Sequence, residues 1–374
     1  MKKKIKVLLA MSGGVDSSVA ALLMKKKGYE VIGAFMKNWS DTKDKFGECN
    51  WKAERKMAMK IAKKLEIPLI TLDFEKQYKR NVVSKMFDDY KKGITPNPDV
   101  DCNQKVKFPL LIKEAKKLGA GFVVTGHYSK IKKTKNKYEL LRGKDETKDQ
   151  SYFLYRLNQN ELKHALFPIG DYTKKQVRKI AEENDFPNFD KKSTVGICFI
   201  GNIDFKKFLK EKIKEKKGKI LSPEGKVIGE HDGVYYYTIG ERLGPRYGFE
   251  ISKDSDDKKS LKRWYVARKN LRKNEIIAAP QNHPLLLRKE IVIRNFRLIS
   301  KDKENFKKSI SRNPKKVLSR IRQVGELLPS KIFYDKRKKQ IKLILNKAIT
   351  GVSQGQAIVL YEGKKVLGGG EIRF

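Results

Sequence analysis

Two sets of residues in this 374-residue chain have types and spacing that chemistry can use. The first is the run Ala10-Met11-Ser12-Gly13-Gly14-Val15-Asp16-Ser17-Ser18. Its two glycines let a backbone approach a phosphate closely, and its serines add hydroxyl donors. It joins an apolar run, Ile5 to Leu9, to the helix-like Val19–Met24. A loop leading from a strand into a helix N-terminus offers an anion unpaired N–H groups and a favourable dipole. No Gly-Lys-Ser/Thr closes the run and no G-x-G-x-x-G occurs in it, so it is neither a Walker A loop nor a dinucleotide fingerprint. A helix cap with a tight turn would account for the glycines alone, but not for the whole string in this setting. The second set is the three cysteines, Cys49, Cys102 and Cys198. Each alone reads as a small buried hydrophobe. Cys102 argues against that reading, because it ends the segment Thr95-Pro96-Asn97-Pro98-Asp99-Val100-Asp101-Cys102-Asn103, whose prolines and Asx residues predict a rigid, non-helical loop. Cys49, between Glu48 and Asn50, is given a structural reading. There is no C-x-x-C and no H-E-x-x-H, so zinc and thioredoxin-type sites are not indicated.

The elements that must position these residues alternate over the first half of the chain. Strands are predicted at Ile5–Ala10, Glu30–Phe35, Pro68–Asp73 and Gly121–Thr125, and helices at Ser17–Lys27, Trp51–Leu65, Glu75–Lys91 and Gln104–Leu118. Nearly continuous apolar strands between helices predict a parallel sheet covered on both faces, with ligands outside its C-terminal strand ends. A polar hairpin is predicted at Ser129–Leu141 and a helix at Thr173–Asn184. After residue 203 the texture changes to a short basic helix, Asp204–Lys217, and then to short β-branched and aromatic runs. These are Gly233–Ile239, Trp264–Arg268, Glu290–Leu298, Val317–Arg322, Ile332–Tyr334, Ile341–Leu345, Gln356–Tyr361 and Lys365–Gly368. They predict one small β domain and one barrel. The expected domains are residues 1–203, 204–282 and 283–374.

The formal net charge is +43, and residues 283–374 alone hold 23 Lys+Arg against 7 Asp+Glu. Such a field attracts polyanions, nucleic acid above all, although a lysine-rich composition by itself would leave only a solvated surface. No apolar run reaches membrane-span length, and the odd, small cysteine count fits a reducing compartment. A complete cytoplasmic protein is expected.

The loop Ser12–Ser18 resembles the pyrophosphate-binding loop of the ATP pyrophosphatase superfamily, whose members adenylate an oxygen and release pyrophosphate. Further strings narrow this: MSGGVDSS, FMKNW, TPNPDVDCN, TGHY, KDQSYFL, GICFIG, YTIG and SQGQAIVLYEGKKVLGGG. Together they span nearly the whole chain, and the chain is identified by them as similar to the bacterial tRNA-specific 2-thiouridylases. The resemblance implies an α/β N-terminal domain with a parallel sheet of the adenine nucleotide alpha hydrolase kind, a small central domain and a C-terminal β-barrel. It implies ATP-dependent thiolation of C2 of the wobble uridine in tRNA anticodons. It places Ala10, Met11, Ser12, Gly13, Gly14, Val15, Asp16 and Ser17 around the ATP phosphates, with Met36 and Gly126 lining the adenosine pocket. Asn97, Pro98 and Asp99 face the target base. Cys102 is the nucleophile, with Asp99 as a possible base beside it, and Cys198 is the persulfide carrier; the two can end as a disulfide. His127, Lys148, Asp149, Gln150, Arg320, Ile321 and Gln356 match positions that contact tRNA. Mg²⁺ and a sulfur donor, either a cysteine desulfurase or a sulfur relay protein, are implied as well. Two alternatives stay open. Asp99, Cys102 and Cys198 could ligate an iron–sulfur cluster, and the loop would also suit a lysidine synthetase. The chain departs from the pattern at the extra Val195 before Gly196-Ile197-Cys198, at the charged Asp101, at the irregular segment after Tyr237-Thr238-Ile239-Gly240, and at Arg320-Ile321-Arg322-Gln323, which lacks an aromatic between the arginines.

Overall fold

The structure is a computed structural model, and it describes residues 4–41, 49–135, 137–192, 205–244, 263–300, 302–323 and 325–374. The first strands are β1 (Lys6–Ala10), β2 (Glu30–Lys37), β3 (Leu69–Asp73) and β4 (Phe122–Val124). A hairpin follows, β5 (Ser129–Lys133) and β6 (Tyr138–Arg142), and then β7 (Ala165–Leu166). The parallel sheet has the order β3-β2-β1-β4-β7. Along β1, Val7 and Leu9 enter the core on one face and Leu8 the core on the other. Successive strand side chains point to opposite faces, so a strand buried on both sides must be apolar throughout. The strand order reverses between β1 and β4. The loops after these two strands therefore open the crevice where ligands of such sheets bind.

The central domain is a five-stranded sheet of β8 (Gly218–Leu221), β9 (Val227–His231), β10 (Arg242–Leu243), β11 (Trp264–Asn270) and β12 (Glu275–Pro280). The C-terminal strands are β13 (Arg288–Leu298), β14 (Lys315–Arg320), β15 (Leu328–Asp335), β16 (Gln340–Ile349), β17 (Ala357–Glu362) and β18 (Lys365–Arg373). They run in the order β13-β16-β15-β14-β17-β18, and pairing of β13 with β18 closes them into a six-stranded barrel around Ile293, Ile332, Leu343 and Ile358. The hairpin β5–β6 joins this barrel through Leu141 opposite Lys365, so the first domain extends the sheet of the last.

The structure changes several expectations. The segment after Asn97 is helical: Asn97 caps Pro98–Cys102, which runs through a π-turn (Asn103–Lys107) into Phe108–Lys117. Proline is compatible with the first helical position, because that N–H would be unpaired anyway. The expected basic helix is confined, among the described residues, to Phe205–Lys210, since the lysine-rich stretch that follows has no apolar stripe to bury. The aromatic run at 233–239 forms a single 3₁₀ turn, Val234–Tyr236, whose rings anchor the core rather than alternate along a strand. A helix at Lys303–Arg312 was not expected; Phe306 and Ile310 are its only large apolar residues. No described helix is long and apolar enough to cross a membrane.

Candidate active site where the three domains meet

The loop after β1 is tied down by its own hydroxyls. Ser17 Oγ and Ser18 Oγ donate to Gly14 O at 2.9 and 3.0 Å, and Ser12 N donates to Ser17 Oγ at 3.2 Å. No side chain caps the helix that starts at Val15, which leaves its first-turn N–H groups for an incoming anion. Asp16 Oδ1 accepts from Tyr128 Oη at 2.7 Å and from Lys174 Nζ at 2.6 Å. Burial and the facing Asp16 carboxylate hold the Tyr128 phenol well above its ordinary pKa, so it remains a donor. Asn188 Nδ2 donates to Gly13 O at 3.0 Å. Lys174 and Asn188 were not singled out from sequence, and no local signal marks them, because their loop partners lie 158 and 175 residues away.

Gly126, after β4, presses its Cα on the same loop. A Cβ there would lie 2.8 Å from the Asp16 carbonyl carbon and 2.9 Å from Ser17 N. Both atoms are backbone and cannot swing aside. Gly126→Ala is therefore expected to displace the loop at a cost of about 1–3 kcal/mol. Nucleotide affinity should fall roughly tenfold or more, read by calorimetric titration alongside a thermal melt. Unchanged nucleotide affinity would remove Gly126 from the site.

At the end of β2, Met36 is buried in the same cluster as Ala34, Trp39 and Phe74. Asn38 follows at 1% exposure, and neither its amide nitrogen nor its oxygen has a hydrogen-bond partner. Buried polar atoms without partners are costly and call for a reason. Asn38 lies in the string FMKNW, in which the resemblance assigns a role to Met36 alone. His127 lies under Phe108 and Phe167, with Nδ1 2.6 Å from Thr125 Oγ1. Burial, aided by Lys107, pushes its pKa well below the usual value, so it is neutral.

Cys102 closes the first turn of its helix and is 1% exposed, not displayed on a polar loop as expected. Asn97 Oδ1 accepts from Val100 N at 3.2 Å, and Asp99 and Asp101 sit where the helix dipole favours acids. The π-turn follows at once, a distortion frequent at functional sites. The charge of Asp101 is compensated: Lys85 and Arg156 each reach it at 3.1 Å, and Arg156 also binds Glu371 of the barrel at 2.8 Å. The acid next to Cys102 is thus an anchor to the last domain. Cys198, with Val195 and the rest of its string, lies outside the described residues.

Three of the strings meet although they belong to different domains. Thr95 N donates to Gln354 O at 2.9 Å, Ser353 Oγ donates to Thr95 Oγ1 at 3.2 Å, and Thr95 Oγ1 donates to Thr238 Oγ1 at 3.3 Å. Gly355 (φ 88°) sits so close to Ile94 and Thr95 that no Cβ fits there. Of the residues expected at tRNA, Lys148 is exposed, while Gln150 accepts from Tyr128 N at 3.0 Å. Asp149 has a fully buried side chain, paired with Arg320 at 2.9 Å and Arg142 at 3.3 Å. Ile321 is 6% exposed, and the Gln356 side-chain oxygen is buried without a partner. The side chains of Asp149 and Arg320 thus form a joint between the first and last domains, whereas the Ile321 side chain packs in the barrel core.

Three family matches cover this architecture: "tRNA methyl transferase HUP domain" over residues 5–202, "tRNA methyl transferase PRC-barrel domain" over 206–280 and "Aminomethyltransferase beta-barrel domain" over 288–372. The chain is 42% identical over 369 residues to a protein of Coxiella burnetii (strain Dugway 5J108-111) named tRNA-specific 2-thiouridylase MnmA, covering 98% of this chain and 97% of that one. It is 41% identical over 373 residues to the protein of the same name from Lactobacillus helveticus (strain DPC 4571), covering 99% and 95%.

Proposed function

The chain belongs to the tRNA-specific 2-thiouridylase family, and from that premise we propose that it replaces the C2 oxygen of the wobble uridine in tRNA anticodons by sulfur, using ATP. The observation that carries this reading is the meeting of Thr95–Asn97, Thr238 and Ser353–Gln354 beside the helix that holds Cys102. It sets the segment Thr95–Asn97, which leads directly into the helix of Cys102, where all three domains meet. Residues Ala10 to Ser17 cradle the triphosphate. Met36, Gly126 and the unpartnered Asn38 serve the adenosine. Asp16, already neutralised by Lys174, is a poor resident metal ligand; Mg²⁺ enters as part of the MgATP substrate.

The uridine O2 attacks the α-phosphorus of ATP, and pyrophosphate leaves. The terminal sulfur of a Cys198 persulfide attacks C2, and AMP leaves with the oxygen. The Cys102 thiolate then attacks the Cys198 sulfur, releasing 2-thiouridine and leaving a Cys102–Cys198 disulfide, which a dithiol reductant opens. Asp99, three residues before Cys102 on the same short helix, takes the Cys102 proton in this reading. A cysteine desulfurase or relay protein reloads Cys198, and a reducing cytoplasm suits the cycle. Lys148 and Gln356 meet the RNA; buried Asp149 and Arg320, with Ile321, Gln150 and neutral His127, hold that surface in shape.

Pyrophosphate should appear only with tRNA present, and AMP only once a sulfur donor is present as well; ADP and phosphate as products would overturn the proposal. Loss of 2-thiouridine, rather than lysidine, is expected in tRNA from cells lacking the protein, read by nucleoside mass spectrometry. Affinity for tRNA should fall roughly 10³–10⁵-fold between about 50 and 200 mM salt for about 6–10 phosphate contacts. A flat salt response would reduce the +43 charge to composition.

A further inference from the structure

A cavity of about 400 Å³ opens where the three domains meet and is lined by residues of each. Lys92 comes from the first domain, Arg268 and Lys269 from β11, and Arg288, Arg373 and Phe374 from the barrel and chain end. Five cationic side chains line one space, no acidic side chain lines it, and none of the five is in an ion pair with an acidic side chain among the described residues. Lys92 and Arg268 are exposed, whereas Lys269, Arg288 and Arg373 are half-buried, and like charges brought together in a partly desolvated space repel. The strain shows in individual groups. Arg373 Nε is buried and has no hydrogen-bond partner. Arg288 lies 3.7 Å over the Phe374 ring, and burial together with Arg268 pushes its pKa down. Burial pulls Lys269 to about 8 against the opposing pull of Glu241. Its Nζ donates to Tyr237 O at 2.7 Å, which leaves two ammonium protons for a ligand.

We propose that this cavity is a phosphate site, distinct from the loop after β1, in which the anion offsets part of the charge of the five cations. Phosphate oxygens suit a fork of guanidinium groups with an ammonium beside them. Through Ile94 the cavity adjoins the segment Thr95–Asn97, so a phosphate of the bound RNA backbone and a free phosphate are its two sources. The inference rests on the RNA-binding reading above.

The test is the salt dependence of tRNA binding by the full chain and by its double variant R268Q/R373Q. A second pair, K26Q/K27Q, removes two exposed lysines at the far end of the helix that follows β1 and serves as a charge-matched control. The slope of log affinity against log salt should become shallower by about 0.9 in R268Q/R373Q, the value for one phosphate contact, and change less in the control. Equal changes in the two pairs would overturn the site. A wild type without salt dependence would instead defeat the RNA reading itself. Inorganic phosphate titrated calorimetrically separates the sources: saturable binding lost in R268Q/R373Q indicates a free-anion site, and a slope change without phosphate binding indicates the RNA backbone. Neither effect, in a variant that melts like wild type, would refute the proposal.

Discussion

Cys102→Ser is expected to abolish thiolation by about 10³-fold or more, the scale seen when a nucleophile is removed, while the protein still accumulates transferable sulfur on Cys198. The asymmetry follows from the two roles. A carrier must hold sulfur, whereas the resolving thiol need only attack the bond that holds it. Cys198→Ser should be equally inactive and should take up no sulfur at this site. Cys49→Ser should keep most activity, since among the described residues Cys49 Sγ donates to the backbone Ser40 O and to no candidate site residue. The measurement is single-turnover thiolation with labelled persulfide donor, together with mass analysis of the protein. The iron–sulfur alternative predicts another pattern: both cysteine variants lose iron equally, and activity requires reconstitution without oxygen. Full activity of chelator-treated protein supplied with a persulfide donor decides for the cysteine pair, and strict iron dependence decides against it. The burial of Cys102 adds a condition. At 1% exposure it cannot meet Cys198 unless the surrounding chain brings Cα atoms within the ~4.4–6.8 Å that a disulfide needs.

Asp149→Ala is expected to destabilise the protein by about 3–5 kcal/mol, the cost of breaking a buried charge pair from one side. Its carboxylate accepts from Arg320, Arg142, Gly143 N, Ser151 N and Ser151 Oγ. Removing it leaves Arg320, 3% exposed, as an uncompensated buried charge. Arg142 suffers less, because it keeps Glu146 at 3.4 Å. Arg320→Ala should be nearly as costly, and the double change should cost less than the two singles combined, since each single change strands the other charge. Urea unfolding with tryptophan fluorescence reads this out. Single changes below about 1 kcal/mol would mean that the pair behaves like an exposed one. The functional consequence is separate: loosening this joint should weaken tRNA binding more than ATP binding, because the joint ties the barrel to the first domain while the loop after β1 lies elsewhere.

Much of the fold was legible in the chain. The four expected strands of the parallel sheet coincide within a few residues with β1 to β4, because continuous apolar runs bounded by polar loops leave little alternative. The pairing of Ser129–Leu141 as a hairpin was legible for the same reason. The helix at Lys303–Arg312 was not, since a mostly charged segment shows its narrow apolar stripe only against a partner. Tyr235, Tyr236 and Tyr237 misled in the other direction: β-favouring rings were spent on packing a turn. The loop segment before Cys102 misled because Pro and Asx residues begin helices as readily as they end strands.

By itself, then, the sequence determined the local chemistry: a glycine- and serine-rich loop between a strand and a helix, two cysteines apart from any metal motif, and a basic β-rich C-terminal part. Such features depend on neighbours a few positions away, and periodicity and turn preferences report those directly. Only the tertiary structure decided that Asp101 is compensated by Lys85 and Arg156, that Lys174 neutralises Asp16, and that Asp149 and Arg320 face inward. These partners lie as far as 171 residues apart. Which charges end up paired in a low dielectric, and which remain to meet an anion, depends on how three domains close on one another, and no local pattern encodes that closure.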